Sequence, residues 1–133
     1  MNIIGNMKKT NNLKERESIM NIVSLHEQGI EASKKELKKF LEDWNKNTGG
    51  NKYGEPMYCG FAGVVIFDVR SNSKVGKELR ELGFRKHYPK GLYLSNPADH
   101  HGQSMDCKEQ GASAYAKIFR DAGFKAYMTS RAD

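Results

Sequence analysis

The stretch GFAGVVIFD, residues 60–68, decides the fold. It is a short apolar run between Gly60 and Asp68, and such a run is typical of a β-strand buried on both faces. Turn-forming residues follow at once, because DVRSNS occupies positions 68–73. The stretch therefore predicts the central strand of a sheet.

Downstream of this strand, helical and extended patterns alternate. Ser73 can cap a helix that ends at Gly83, and Ser104 can cap a longer helix that ends at Gly123. The other predicted strands are residues 84–88, 92–95 and 124–130. This β-α-β-β-α-β order predicts an α+β fold, a ferredoxin-like antiparallel sheet of four strands with two helices on one face.

Upstream, apolar residues recur at helical spacing, Gly29 supplies a stop, and Ser33-Lys-Lys-Glu36 has the form of a capping box. We therefore expect an N-terminal helical hairpin. The segment after it is rich in Asn and Gly and nearly devoid of apolar residues, as linkers are. The predicted organisation is a flexible tail (1–12), the helical hairpin (13–46), a linker (47–58) and the ferredoxin-like domain (59–133).

The charge balance favours a polyanionic partner. Lys and Arg number 22 against 16 acids, which gives a net charge of +6 in 133 residues. No apolar run is long enough for a membrane span, and no apolar segment follows the lysines near the start. We expect a cytoplasmic protein without a membrane partner, and Cys59 and Cys107 as reduced thiols.

The predicted hairpin over residues 84–95 carries the most specific binding signal. Its cations have no acids at compensating spacing, and aromatic residues lie between them, so the cations can contact phosphates while the rings stack on bases. The predicted nucleic-acid-binding residues are Arg85, Lys86, Tyr88, Lys90 and Tyr93, together with Arg70.

Residues 64–95, with the strand ending in Asp and the helix KVGKELRELG before a basic strand, resemble the small CRISPR-adaptation subunit and VapD-type ribonucleases. This resemblance implies a metal-binding role for Asp68. Residues 58–133 are similar to small uncharacterised bacteriophage proteins, notably in YCGFA and in GFKAYMTSRAD. That resemblance implies a viral or mobile-element origin.

Three alternatives remain open. A metal-dependent nuclease could use Asp68 together with Asp99, His100 and His101, if the loop folds over the strand end. Alternatively, the N-terminal helices could bind a partner protein through Phe40, Leu41 and Trp44. The lysines at positions 34, 35, 38 and 39 also permit a helix-turn-helix interpretation.

The leading hypothesis is a non-enzymatic accessory protein of a phage or mobile element. We expect it to bind nucleic acid, or a host nucleoprotein complex, in the host cytoplasm. We expect no cofactor, because phosphate-loop and dinucleotide-binding motifs are absent from the sequence. A homodimer is compatible with this hypothesis.

Overall fold

The computed structural model describes residues 6–47, 59–102 and 104–132, with side chains from residue 22 onward. Within these residues the chain forms three helices and four strands. In chain order they are α1 (Asn6–Asn47), β1 (Gly60–Ile66), α2 (Lys74–Glu81), β2 (Arg85–Lys86), β3 (Leu92–Ser95), α3 (Met105–Asp121) and β4 (Ala126–Ala132). The predicted α+β class is confirmed.

The four strands form one sheet in the order β2-β3-β1-β4, and every neighbouring pair is antiparallel. β1 lies between β3 and β4, so the prediction of a central strand is confirmed. Val65 faces Tyr93 of β3 on one side and Tyr127 of β4 on the other. β2 is only two residues long, shorter than the predicted strand 84–88.

Both predicted helix caps form. Ser73 accepts a hydrogen bond from the backbone N–H of Gly76 at 2.9 Å, and Ser104 accepts one from the N–H of Cys107 at 3.2 Å. Gly83 and Gly123 follow the two helices with φ of 112° and 103°, a region in which glycine has no steric penalty. These caps set where α2 and α3 begin and end.

Helices α2 and α3 cover one face of the sheet. Val64 and Ile66 of β1 point to this face and belong to the main core with Leu79 of α2 and the stacked rings of Tyr115 and Phe119 of α3. All five side chains are fully buried. Removal of their apolar surface from water supplies the main driving force for this packing.

The predicted helical hairpin is wrong, because residues 6–47 form one continuous helix, α1. The helix also begins at Asn6, within the predicted flexible tail (1–12). Gly29 does not end α1 but lies against α3: a Cβ atom at this position would come within 2.5 Å of the Tyr115 ring. The glycine therefore permits close packing of two helices.

Helix α1 shares the core of the rest of the chain. Ile22 is fully buried in the main core cluster. Leu37 forms a second cluster with Ala98 and Cys107, against which Phe40 and Leu41 pack.

Phe40 and Leu41, predicted to bind a partner, thus contact their own chain, and Trp44 is half-buried. Residues 48–58 of the predicted linker lie outside the described residues.

A polar contact between His26 and Tyr115 joins α1 to the core. His26 Nδ1 lies 2.7 Å from the hydroxyl of Tyr115, and the two rings meet edge to face. Burial lowers the pKa of His26, although the nearby Glu27 charge acts in the opposite direction, and burial raises the pKa of Tyr115. Both side chains are therefore neutral at pH 7.

Candidate nucleic-acid interface

The face of the sheet opposite α2 and α3 is the candidate site. We call it the open face, because none of the described helices covers it. Side chains alternate along a strand, so the residues on this face follow from the register. They are Phe61, Gly63 and Val65 of β1, Arg85 of β2, Tyr93 and Ser95 of β3, and Tyr127, Thr129 and Arg131 of β4, with Phe67 and His87 directly after β1 and β2.

Large aromatic side chains of the open face are in contact with solvent. The exposed fractions are 45% for Phe61, 36% for Phe67 and 48% for Tyr127. Phe67 and Tyr127 adjoin each other, and adjoining exposed aromatic side chains mark an interaction surface more often than isolated ones do. The rings therefore need an explanation other than folding.

Four of the rings form a connected group at one end of the face. His87 stacks on Tyr93, with ring centroids 6.2 Å apart and ring planes 28° apart. Phe67 meets His87 edge to face and lies beside Tyr127, with 6.2 Å between centroids in both pairs. These mutual contacts hold the rings in place without burying them.

Gly63 allows the Tyr93 ring to lie across β1. A Cβ atom on Gly63 would approach the Tyr93 hydroxyl to within 2.5 Å. The neighbouring Val65 is only 1% exposed although it belongs to the open face. The centre of the open face is therefore filled by Val65 and the flat side of a tyrosine, and the exposed rings surround it.

Cations accompany the exposed rings. The guanidinium of Arg131 lies 5.5 Å from the centroid of the Phe61 ring, and that of Arg120 lies 5.4 Å from the Tyr127 ring. Lys108 reaches the Phe61 ring from α3 at 5.4 Å. Its ammonium donates to the Gly60 carbonyl oxygen at 3.0 Å.

The described strands place no negative charge on the open face. No described strand position on it is Asp or Glu. The surface can therefore present rings and positive charge to the same ligand, which is what the bases and phosphates of a nucleic acid require.

The predicted basic hairpin lies at one edge of this surface. Arg85 pairs with Tyr93 and belongs to the open face. The Lys86 ammonium lies 5.8 Å from the centroid of the Tyr88 ring, and Tyr88 is 75% exposed. In the turn, the His87 ring donates to the carbonyl oxygen of Lys90 at 3.0 Å. The structure thus brings part of the predicted set onto a larger surface.

Arg70 belongs to the turn between β1 and α2, at the same end of the sheet as the hairpin turn. Gly91 of the hairpin turn packs against the backbone of Ile66 and Phe67, where the Arg70 turn starts. The carbonyl oxygen of Arg70 accepts bonds from the N–H and the hydroxyl of Ser73. The backbone of the Arg70 turn is thereby held in place.

Sequence reasoning missed Phe61, Phe67, Tyr127 and Arg131. The signal was present in the alternation of residues 61–67, where positions 61 and 67 are Phe and positions 64 and 66 are aliphatic. A strand with aliphatic residues on both faces at its centre hides this alternation. Only the position of the helices shows which face remains open.

The residues proposed for metal chemistry do not assemble. Asp68 accepts a hydrogen bond from the backbone N–H of Lys125 at 3.0 Å, which ties the end of β1 to the start of β4. Asp99 and His101 lie 3.8 Å apart and are both highly exposed, and the Asn96 side chain donates to the carbonyl oxygen of His100. No group of three or more metal-ligating side chains occurs in the described part of the chain. The nuclease hypothesis stays a prediction without geometric support.

None of the three described helices is long and apolar enough to cross a membrane. No protein-family model, no curated protein and no solved structure matches this chain. A functional proposal for this protein therefore rests on the geometry of the open face.

Proposed function

We propose that this protein binds single-stranded nucleic acid on the open face of its sheet, without catalysing a reaction. The observation that carries the proposal is the set of exposed rings, Phe61, Phe67 and Tyr127, two of which lie next to an arginine. Bases stack on such rings whatever their identity, because every base has a π face.

The exposed rings favour single strands over duplexes. In a duplex the faces of the bases are covered by their neighbours, so a flat sheet surface cannot stack on them. Unpaired bases can turn outward onto Phe67 and Tyr127, while Arg85 and Arg131 contact phosphates along the strand. The net charge of +6 adds long-range attraction.

We also infer that the sheet domain is ferredoxin-like. The antiparallel order β2-β3-β1-β4, with both crossover helices on one face, supports this assignment. The origin in a phage or mobile element and the host nucleoprotein complex remain predictions from the sequence, as does the homodimer.

The proposal is tested with the double variant Phe67→Ala/Tyr127→Ala and a fluorescent oligothymidine strand. Loss of base stacking costs about 1–3 kcal/mol per base, so we expect the dissociation constant to rise about 25-fold or more. Val23→Ala serves as the control, because it removes a comparably exposed apolar side chain, 43% exposed, from α1. Equal binding by the double variant and the control would refute the proposal.

The salt dependence separates stacking from charge. Each phosphate contact contributes a slope of about −0.7 to the plot of log affinity against log salt for a single strand. The double variant Arg85→Ala/Arg131→Ala should therefore reduce this slope by about 1.4. The ring variant should lower the affinity and leave the slope unchanged. Binding of the strand with no salt dependence would contradict the proposed phosphate contacts of Arg85 and Arg131.

A further inference from the structure

A positively charged cavity of about 670 Å³ lies at the β2 edge of the sheet. Its charged lining consists of Lys77 and Arg80 of α2, Arg85 and Lys86 of β2, and a single acid, Glu81. The cavity thus has three more positive than negative side chains, and the chemistry it fits is that of a phosphate.

The cations of this cavity are not neutralised within the described structure. Lys77 and Glu81 have the spacing of a helical ion pair, yet neither forms an ion pair, and the same holds for Arg80. By contrast, Lys117 and Asp121 of α3, at the same spacing, are paired at 2.9 Å. Lys77 and Arg80 are exposed and can turn toward a ligand.

The end of α2 does not oppose an anion strongly. Carbonyl oxygens at a helix C-terminus carry partial negative charge, which repels phosphates when those oxygens lack partners. Here the N–H of Gly83 donates to the carbonyl oxygen of Arg80 at 3.1 Å, and the N–H of Phe84 donates to that of Leu79 at 3.1 Å. The side-chain cations therefore determine the sign of the local charge.

Arg85 connects this cavity to the open face. Its side chain belongs to the open face through its pairing with Tyr93, and it also lines the cavity. The next residue, Lys86, pairs with Leu92, whose side chain is buried in the core on the helix-covered side. The two residues of β2 thus place positive charge on both sides of the sheet edge.

We infer that the cavity binds phosphodiester groups of a single strand that continues from the open face over the β2 edge toward α2. This inference rests on the proposed function and extends it. It assigns Lys77, Arg80 and Lys86 to the part of the strand beyond the stacked bases. Strands that cover only the open face do not reach the cavity.

The test compares short and long oligothymidine strands, about 4 and about 16 nucleotides, all with hydroxyl ends so that only phosphodiesters are present. For the long strand, Lys77→Ala/Arg80→Ala should reduce the salt slope by about 1.4, and for the short strand it should change nothing. The control Lys34→Ala/Lys38→Ala removes the same charge from exposed positions of α1. These lysines belong to no helix-turn-helix, because α1 is one continuous helix.

The acid of the cavity provides a test of opposite sign. Glu81→Gln removes the only negative side chain of the lining, so binding of the long strand should tighten about two- to threefold. Glu42→Gln, which makes the same change at an exposed position of α1, should have no effect. A merely structural role of Glu81 would not tighten binding.

The outcomes separate the inference from the proposed function. If both strands bind and the cavity variants match their α1 controls, the inference is overturned and the proposed function stands. Equal weakening of short and long strands by Lys77→Ala/Arg80→Ala also overturns the inference. If no strand binds at all, both are refuted.

Discussion

The two faces of the sheet consist of the same strands, yet they differ in what covers their side chains. On one face, Val64 and Ile66 are fully buried under α2 and α3. On the other, Phe61 and Tyr127 leave almost half of their surface in water. The first face accounts for the stability of the fold. The second carries large apolar side chains that remain exposed after folding, and such side chains mark a binding surface.

The same type of substitution on the two sides of the sheet tests most directly whether their side chains contribute differently to stability. Phe119 is fully buried on the covered side, so Phe119→Ala should lower the free energy of unfolding by about 3–5 kcal/mol. Phe61→Ala removes a half-exposed ring and should cost about 1 kcal/mol or less. Chemical denaturation of both variants measures the difference. Similar losses would mean that the open face also belongs to a core.

A second test concerns the layer of α1 on the covered side. Gly29→Val adds a side chain where the Tyr115 ring leaves no room, and overpacking of this kind costs about 1–3 kcal/mol. Glu31→Val places the same side chain on the exposed side of α1 and should change stability by no more than about 0.5 kcal/mol. If Gly29→Val is as stable as the control, α1 does not pack on α3 as described.

The smallest expected effect is the pH dependence of the same layer. Burial holds the pKa of His26 below 6.5 in the folded state, so the unfolded state binds a proton more readily. The contribution of neutral His26 is complete above pH 6.5 and is lost as the pH falls through the folded-state pKa. Denaturation curves at several pH values should show this loss in the wild type.

Two substitutions isolate the histidine responsible. His26→Asn should remove this part of the pH dependence, whereas His101→Asn should keep it, because the His101 side chain is 90% exposed. A wild-type profile that is unchanged by His26→Asn would contradict the assignment.

Local chemistry made much of the fold predictable from the sequence. Ser73 and Ser104 begin helices because their hydroxyls satisfy backbone N–H groups, and this signal is contained in a few neighbouring residues. The apolar run of β1 likewise identified the central strand. Each of these patterns spans only a few neighbouring residues and is therefore visible in a single sequence.

The predictions from the sequence failed where the structure depends on contacts between residues that are far apart in the chain. In the sequence, Gly29 has the form of a helix stop. In the structure it makes room for the ring of Tyr115, which lies 86 positions away in the sequence. Similarly, the cations of residues 85–90 were visible in the sequence, while their neighbours Phe67 and Tyr127 come from other strands. The open face exists only once the sheet has formed, and the local alternation at positions 61–67 describes only part of it.

The central claim, that the open face binds a single strand by stacking, is tested most directly in one set of aromatic NMR spectra. On addition of oligothymidine, the ring protons of Phe61, Phe67 and Tyr127 should shift upfield, because stacked bases shield them. The rings of Tyr115 and Phe119, fully buried on the covered side, serve as internal controls and should not move. Unchanged open-face rings in the presence of bound strand, or equal shifts on both faces, would contradict the claim.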